Sequence, residues 1–219
     1  DIGKMAALVE DRSPLQLGAE GSYRGVHFAL IGRIQIKYSQ GIWNEWHLLF
    51  DDMRTGWLSE AGGEYVLTFM RQVDEPLPDF SALRIGQRLQ VASQVWTVSN
   101  LENAECIAGQ GELPFKVGGG YPVAAADLRN ETRFATLDYS ESPPLLFVGE
   151  AVRFDTLKMT NLRDGAAPTV TVQAQVFRCP GCGSPMQARS RDILAVGCAS
   201  CGTVVNTADR NYKVLSRAR

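Results

Sequence analysis

Two Cys-x-x-Cys pairs near the carboxyl end constrain the fold more than any other feature of this sequence. Cys179 and Cys182 form the first pair, Cys198 and Cys201 form the second, and 15 residues separate the pairs. Four thiolates at this spacing are what a tetrahedral Zn²⁺ takes in a closed, structural site. The spacing therefore predicts a zinc ribbon over residues 166–219, with these four cysteines as the metal ligands.

Two other uses of four cysteines have to be weighed against structural zinc. A redox Cys-x-x-Cys motif normally opens a helix in a βαβ unit, and the sequence shows no such pattern around either pair. An iron–sulfur cluster also takes four thiolates, but at tighter spacings. We therefore expect structural rather than catalytic zinc, because a closed Cys₄ site leaves no open position for water.

The placement of the cysteines also bears on the compartment. Four of the five lie in the last 41 residues, unlike the even scatter of a secreted disulfide framework. Thiols kept reduced for a metal favour the cytosol, so we expect a cytoplasmic protein. No stretch approaches the roughly 18 apolar residues of a membrane-spanning helix.

The apolar pattern of the remaining chain predicts an all-β fold. Residues 33–38 and 170–177 alternate apolar and polar side chains, and turn formers such as those at 51–56 separate similar runs. Short strands at such intervals are typical of a sandwich or a barrel. The exception is the start of the chain, where apolar residues at helical spacing predict a short helix within residues 1–12.

An internal sequence repeat divides the β region into two parts. Residues 13–18 (SPLQLG) match residues 81–86 (SALRIG) at an offset of 68, and Phe28 and Trp96 correspond at the same offset. Two prolines in residues 74–78 break the pattern between the two openings. The internal repeat predicts two small, related β-barrel-like units, at 13–74 and 79–165.

Charge is unevenly distributed along the chain. The net charge is −2, but residues 176–219 carry seven basic and two acidic side chains, a local charge of +5. Clustered Lys and Arg allow weak nucleic-acid binding by the ribbon alone. The other interpretation, which we prefer, is that these bases offset the negative charge of metal-bound thiolates.

Three of the four tryptophans, Trp43, Trp46 and Trp57, fall within 15 residues. They predict either a contact surface for a partner or a plug of the barrel core. A Cys–His catalyst would need Cys106 with one of the two histidines, and nothing in the spacing demands it. Because no triad or nucleotide-binding motif is present either, we expect a protein that is not an enzyme and has no small-molecule substrate.

Several segments resemble an uncharacterised bacterial family, domain of unknown function 4178. The likeness covers about residues 13–160 and is carried by GRI (32–34), WNEWHLLFDD (43–52), GWLSE (56–60), GELPF (111–115), FATLDY (134–139), PP (143–144) and FVG (147–149). Members of this family often carry flanking Cys-x-x-Cys zinc ribbons, and their genes lie beside membrane-stress and polyamine-synthase-like genes. The resemblance implies a bacterial accessory role and brings no catalytic residues.

The sequence therefore predicts a zinc-stabilised, non-catalytic binding or scaffold module of a bacterial cytoplasmic assembly, with a protein as its partner. The alternative is a nucleic-acid-binding zinc-ribbon protein, which would use the basic end of the chain.

Overall fold

A computed structural model gives the fold of this chain. It describes residues 8–9, 11, 13–38, 41–61, 63–73, 75–130, 133–164, 175–179, 182, 185–188, 195–198, 200–201, 203–206 and 214–216. Over these residues the chain is all-β, as predicted, with two short 3₁₀ helices at Phe80–Ala82 and Phe154–Leu157. In this described part, no helix has the length and apolar character needed to cross a bilayer.

Ten strands form one antiparallel sheet. They are β1 (Glu20–Tyr23), β2 (Val26–Tyr38), β3 (Gly41–Phe50), β4 (Thr55–Ala61), β5 (Glu64–Arg71), β6 (Arg88–Val91), β7 (Gln94–Gly111), β8 (Tyr121–Asn130), β9 (Arg133–Asp138) and β10 (Leu145–Val152).

The sheet closes into a single eight-stranded barrel. Its order is β2-β3-β4-β5-β10-β9-β8-β7, and β7 returns to pair with β2. Two antiparallel seams therefore join the halves, with Ile34 opposite Gly109 in one and Phe69 opposite Val148 in the other. The two barrel-like units expected from the sequence are thus halves of one barrel, because the edge strands of each half pair with the other half. β1 and β6 extend β2 and β7 as hairpin arms.

Each half nevertheless keeps its own apolar core. The first-half core contains Phe28, Trp46 and Leu67, and the second-half core contains Trp96 and Leu137. The segment after β10 packs on the first-half core, while the segment that leads into β6 packs on the second-half core.

The internal repeat is also visible in the backbone hydrogen bonds, which correspond in the two halves. Gly18 donates its N–H to the Leu30 carbonyl at 2.9 Å, and Gly86 donates to the Val98 carbonyl at 2.8 Å, at the same offset of 68 residues. Both glycines have positive φ, which residues with a Cβ rarely adopt. The hairpin turns also correspond at this offset, with positive φ at Arg24, Gly25, Ala92 and Ser93.

The N-terminal helix predicted over residues 1–12 is not borne out. Leu8, Val9 and Asp11 are the described residues of that range, and none is helical. Val9 instead donates its N–H to Gln35 Oε1 at 2.7 Å and accepts a bond from Gln35 Nε2 at 2.9 Å. A side-chain amide thus satisfies the backbone groups that a helix would use, and holds the segment against the barrel.

Among the described residues after the barrel there are five short strands, and we refer to this part of the chain as the C-terminal ribbon. β11 (Gln175–Arg178) pairs with β12 (Pro185–Ala188), and β13 (Ala195–Gly197), β14 (Val204–Asn206) and β15 (Val214–Ser216) form a three-stranded sheet. Residues 170–174 of the strand predicted at 170–177 lie outside the described residues. The pairing places each Cys-x-x-Cys pair between the two strands of a hairpin.

Candidate metal centre and barrel interior

The ribbon hairpins bring the four predicted metal ligands together. The Sγ atoms of the four cysteines all lie within 4.8 Å of one another. Between the pairs, the Sγ atoms lie 3.6 Å apart for Cys179 and Cys201 and 3.6 Å apart for Cys182 and Cys198. A tetrahedral ion with bonds of about 2.3 Å to sulfur holds its ligands about 3.8 Å apart. The donor set and the spacing therefore fit a tetrahedral, sulfur-bound metal ion.

The four cysteines differ in their surroundings. Cys179 and Cys198 are buried, Cys201 is half-buried and Cys182 is exposed. Thr203 supports the second pair, because its carbonyl accepts the Cys198 N–H at 2.8 Å and its hydroxyl lies 3.1 Å from Cys201 Sγ. The Thr203 hydrogen bond lowers the pKa of the Cys201 thiol, whereas burial raises the pKa of Cys198.

The three tryptophans proposed as a contact surface do not share a face. Trp46 is 1% exposed and belongs to the first-half core, so it cannot serve as a contact residue. Trp43 and Trp57 are half-buried and belong to a different apolar cluster. Strand alternation is the reason, since Trp43 and Trp46 are three residues apart on β3 and project to opposite faces.

Trp57 is held between two rings. His47 stacks on it at a centroid distance of 4.8 Å, and Phe115 stacks at 6.0 Å. Phe115 comes from the loop between β7 and β8, and His47 Nδ1 lies 2.9 Å from the Glu112 carbonyl of the same loop. This loop therefore supplies Phe115 and Val117 to the central aromatic cluster, which includes Trp43, Trp57, Phe115 and Tyr121 together with Ile34, Ile36, Cys106 and Val117.

A carboxylate lies beside the half-buried tryptophans. Glu45 accepts hydrogen bonds from Trp43 Nε1 and Ser59 Oγ, each at 2.7 Å. Burial, and then the charges of Asp127 and Asp138, raise the pKa of Glu45 to about 7. In the sheet, β2 and β7 separate β3 from β8, and β9 lies one strand further, so Asp127 and Asp138 act on Glu45 across the inside of the barrel.

Asp127 has partners of its own on the far side of the interior. Its carboxylate accepts bonds from Thr136 Oγ1 at 2.9 Å and Asn100 Nδ2 at 3.3 Å, and Arg129 offsets part of its charge. Burial raises the pKa of Asp127 despite these contacts. The acids were not predicted from the sequence, since barrel closure is what brings Glu45 on β3 near the paired strands β8 and β9 that carry Asp127 and Asp138.

A second polar network lies on the opposite face of the first half. Glu60 accepts bonds from Ser13 Oγ at 2.6 Å, Trp46 Nε1 at 3.1 Å, and Asn44 Nδ2 and Tyr65 OH at 3.3 Å each. This buried hub ties the segment before β1 to β3, β4 and β5.

Cys106 is fully buried in the barrel, and burial raises the pKa of its thiol. Among the described contacts its sulfur faces the Ala108 carbonyl and the Tyr121 side chain rather than a histidine. His27 lies on the surface near Asp51. The structure therefore does not bring the candidate nucleophile and a histidine into hydrogen-bonding contact in the described part of the chain.

Comparison with known proteins gives one family. A family model described as Domain of unknown function (DUF4178) matches residues 16–154. Comparison with curated proteins and with solved structures gave no match. The family match thus spans the barrel and ends within the 3₁₀ helix that follows β10.

Proposed function

The chain belongs to the family of Domain of unknown function (DUF4178), and from this premise we propose that it is a zinc-stabilised, non-catalytic binding module. It would act as a scaffold for a protein partner in a bacterial cytoplasmic assembly. The barrel supplies the binding surface, and Zn²⁺ on Cys179, Cys182, Cys198 and Cys201 stabilises the ribbon.

The sulfur cluster is the observation that carries this proposal. Four thiolates can satisfy Zn²⁺ completely, so the ion would contribute folding energy and leave no open position for catalysis. Structural zinc supplies on the order of 10 kcal/mol to finger-like units. The ribbon strands are three or four residues long, too short to be stable without such a contribution.

The surface that we propose for binding is centred on the part-exposed Trp43, Trp57 and Phe115. Aromatic side chains of this kind provide large contact areas with few rotatable bonds. The nearby Glu45 would add a polar contact for a partner side chain. We propose binding of a partner and not catalysis at this surface. The polar side chains described there, such as Glu45, already hydrogen-bond to neighbouring residues of the cluster.

Elemental analysis of the chain, purified without chelator or oxidant, tests the metal. We expect one zinc per chain, and we expect Cys198→Ser to lose it. Cys106→Ala is the matched control, because this cysteine lies in the barrel, and it should retain the full zinc content. A wild-type chain without bound metal would contradict the proposal.

Affinity purification with barrel variants tests the binding surface. Trp57→Ala should lose partners that the wild-type bait retains. Ile42→Ala is the control, since Ile42 is 40% exposed and adjacent in sequence to Trp43 but projects to the other face of β3. If both variants retain the same partners, the central aromatic cluster is not the contact surface.

The basic end of the chain supports nucleic-acid binding as the second candidate. It predicts an affinity that falls steeply with salt, because phosphate contacts release counterions. A titration of the zinc-loaded chain with duplex and single-stranded oligonucleotides at two salt concentrations distinguishes the candidates. Binding that is absent or independent of salt eliminates this alternative.

A further inference from the structure

The four sulfurs of the cluster are not equally open to chemical attack. Cys179 and Cys198 are buried, so a small oxidant reaches them poorly. Cys201 is half-buried, and its sulfur is already engaged by the Thr203 hydroxyl at 3.1 Å. Cys182 is the exposed member of the set. Exposure therefore singles out Cys182 as the sulfur that an oxidant meets first.

A sulfur of the other pair lies close to Cys182. Cys198 Sγ lies 3.6 Å from Cys182 Sγ, and a disulfide requires these atoms to approach to about 2.05 Å. A shift of this size is within reach of two hairpin turns. Cys198 is therefore within reach of Cys182 for a cross-link that joins the two pairs.

We propose that the sulfur cluster is a peroxide-sensitive switch, in which oxidation of Cys182 cross-links it to Cys198 and releases the metal. The inference rests on the zinc site of the proposed function. It makes the ribbon a module whose stability depends on the redox state of its surroundings.

The chemistry balances with hydrogen peroxide as the oxidant. The Cys182 thiolate attacks one peroxide oxygen, so that an S–O bond forms, the O–O bond breaks and hydroxide leaves. The Cys198 thiolate then attacks the sulfenic sulfur, an S–S bond forms, and a second hydroxide leaves. Two electrons pass from the two thiolates to the peroxide. Cys179 and Cys201 remain as two ligands, which are too few for a closed tetrahedral site.

Treatment of the zinc-loaded chain with one equivalent of hydrogen peroxide tests the switch. A colorimetric zinc indicator follows release, and thiols are then alkylated before digestion with trypsin. Trypsin separates the pairs into peptides 179–189 and 192–210, so a cross-link between pairs joins two peptides and one within a pair does not. We expect one zinc released per disulfide, a joined pair of peptides with the bond at Cys182 and Cys198, and rebinding of zinc after reduction by dithiothreitol.

Two variants sharpen the experiment. Thr203→Val removes the hydroxyl beside Cys201 while keeping its volume, and should leave the first attack at Cys182, because exposure selects that sulfur. Cys106→Ala should release zinc at the wild-type rate, because this thiol is buried in the barrel.

The outcomes separate the switch from the site. A chain that binds no zinc overturns the proposed metal site and the switch with it. A zinc-loaded chain that keeps its metal under peroxide overturns the switch alone. A disulfide confined to one peptide likewise shows that the first attack or its partner has been wrongly assigned.

Discussion

Glu20 and Thr160 pair through two backbone hydrogen bonds, of 3.2 Å from Glu20 N–H and 2.8 Å from Thr160 N–H. These bonds join β1, the hairpin arm on β2, to the segment that follows β10, the last strand of the barrel. Leu157 of the same segment is 1% exposed in the first-half core. The family match ends at residue 154, yet the fold of the barrel continues through this closing segment.

Leu157→Ala should therefore destabilise the barrel. Removing a buried leucine costs about 2–5 kcal/mol, because the lost apolar contacts leave a cavity. Urea unfolding followed by tryptophan fluorescence measures the change. Asp155→Ala alters an exposed residue of the same segment and should cost less than about 0.5 kcal/mol. Equal stability of the two variants would show that the closing segment is dispensable.

Glu60→Leu should lower the stability of the barrel more than the similar volumes of the two side chains suggest. The substitution leaves the buried donors of Ser13, Asn44 and Trp46 without their shared acceptor, which costs about 3 kcal/mol or more. Thermal unfolding measures the loss. Glu112→Leu, at an exposed side chain, is the matched control and should change stability little. A mild effect at Glu60 would mean that water replaces the missing acceptor.

Glu45 should make the stability of the barrel depend on pH. Its carboxyl holds a proton up to about pH 7 in the folded chain, against an ordinary value of 4.5 in the unfolded chain. The folded state therefore binds more protons in this window, and stability falls as the pH rises from 4.5 to about 7. Each unit of difference in pKa is worth about 1.4 kcal/mol. The raised pKa of Asp127 acts in the same direction.

Glu45→Gln tests this dependence, because an amide is uncharged at every pH. The variant should gain stability relative to wild type as the pH is raised from 5 to 8, measured by urea unfolding at each pH. Glu141→Gln, at an exposed carboxylate, should follow the wild-type curve. Parallel curves for wild type and Glu45→Gln would rule out a proton held at this position.

Gly149→Ala should disrupt the seam between β5 and β10. A Cβ at this position would overlap the Leu67 carbonyl oxygen, a backbone atom that cannot move aside. Overpacking of this kind costs about 1–3 kcal/mol, and here the seam joins the two halves of the barrel. Gly119→Ala is the control, because nothing lies within 4 Å of its added Cβ. Thermal unfolding should separate the variants, and similar midpoints would contradict the close approach of the strands.

Removing zinc should unfold the ribbon and leave the barrel intact. All four tryptophans lie in the barrel, at positions 43, 46, 57 and 96, so their fluorescence reports on the barrel alone. We expect a chelator to abolish the amide signals of β11–β15 in an NMR spectrum without a change in fluorescence. A simultaneous loss of both signals would show that the ribbon supports the barrel.

Features that depend on local spacing could be predicted from the amino-acid order. Two residues between paired cysteines predict a turn that gathers the four sulfurs, alternation predicts strands, and the repeated residues 13–18 and 81–86 predict equivalent hairpin arms. Each of these signals lies within a few neighbouring residues. The local pattern gave a wrong prediction at the N-terminus. Apolar residues there have helical spacing, but the Gln35 side chain bonds to the backbone groups of Val9 instead.

How the two halves of the barrel pair with each other could be seen only in the folded structure. The pairing of Ile34 with Gly109 and of Phe69 with Val148 turns two expected units into one barrel, because strand edges far apart in sequence satisfy one another's hydrogen bonds. The same closure places the charge of Asp127 near Glu45, a proximity that no sequence spacing encodes. It also decides which face of β3 is core, and therefore that Trp46 is buried.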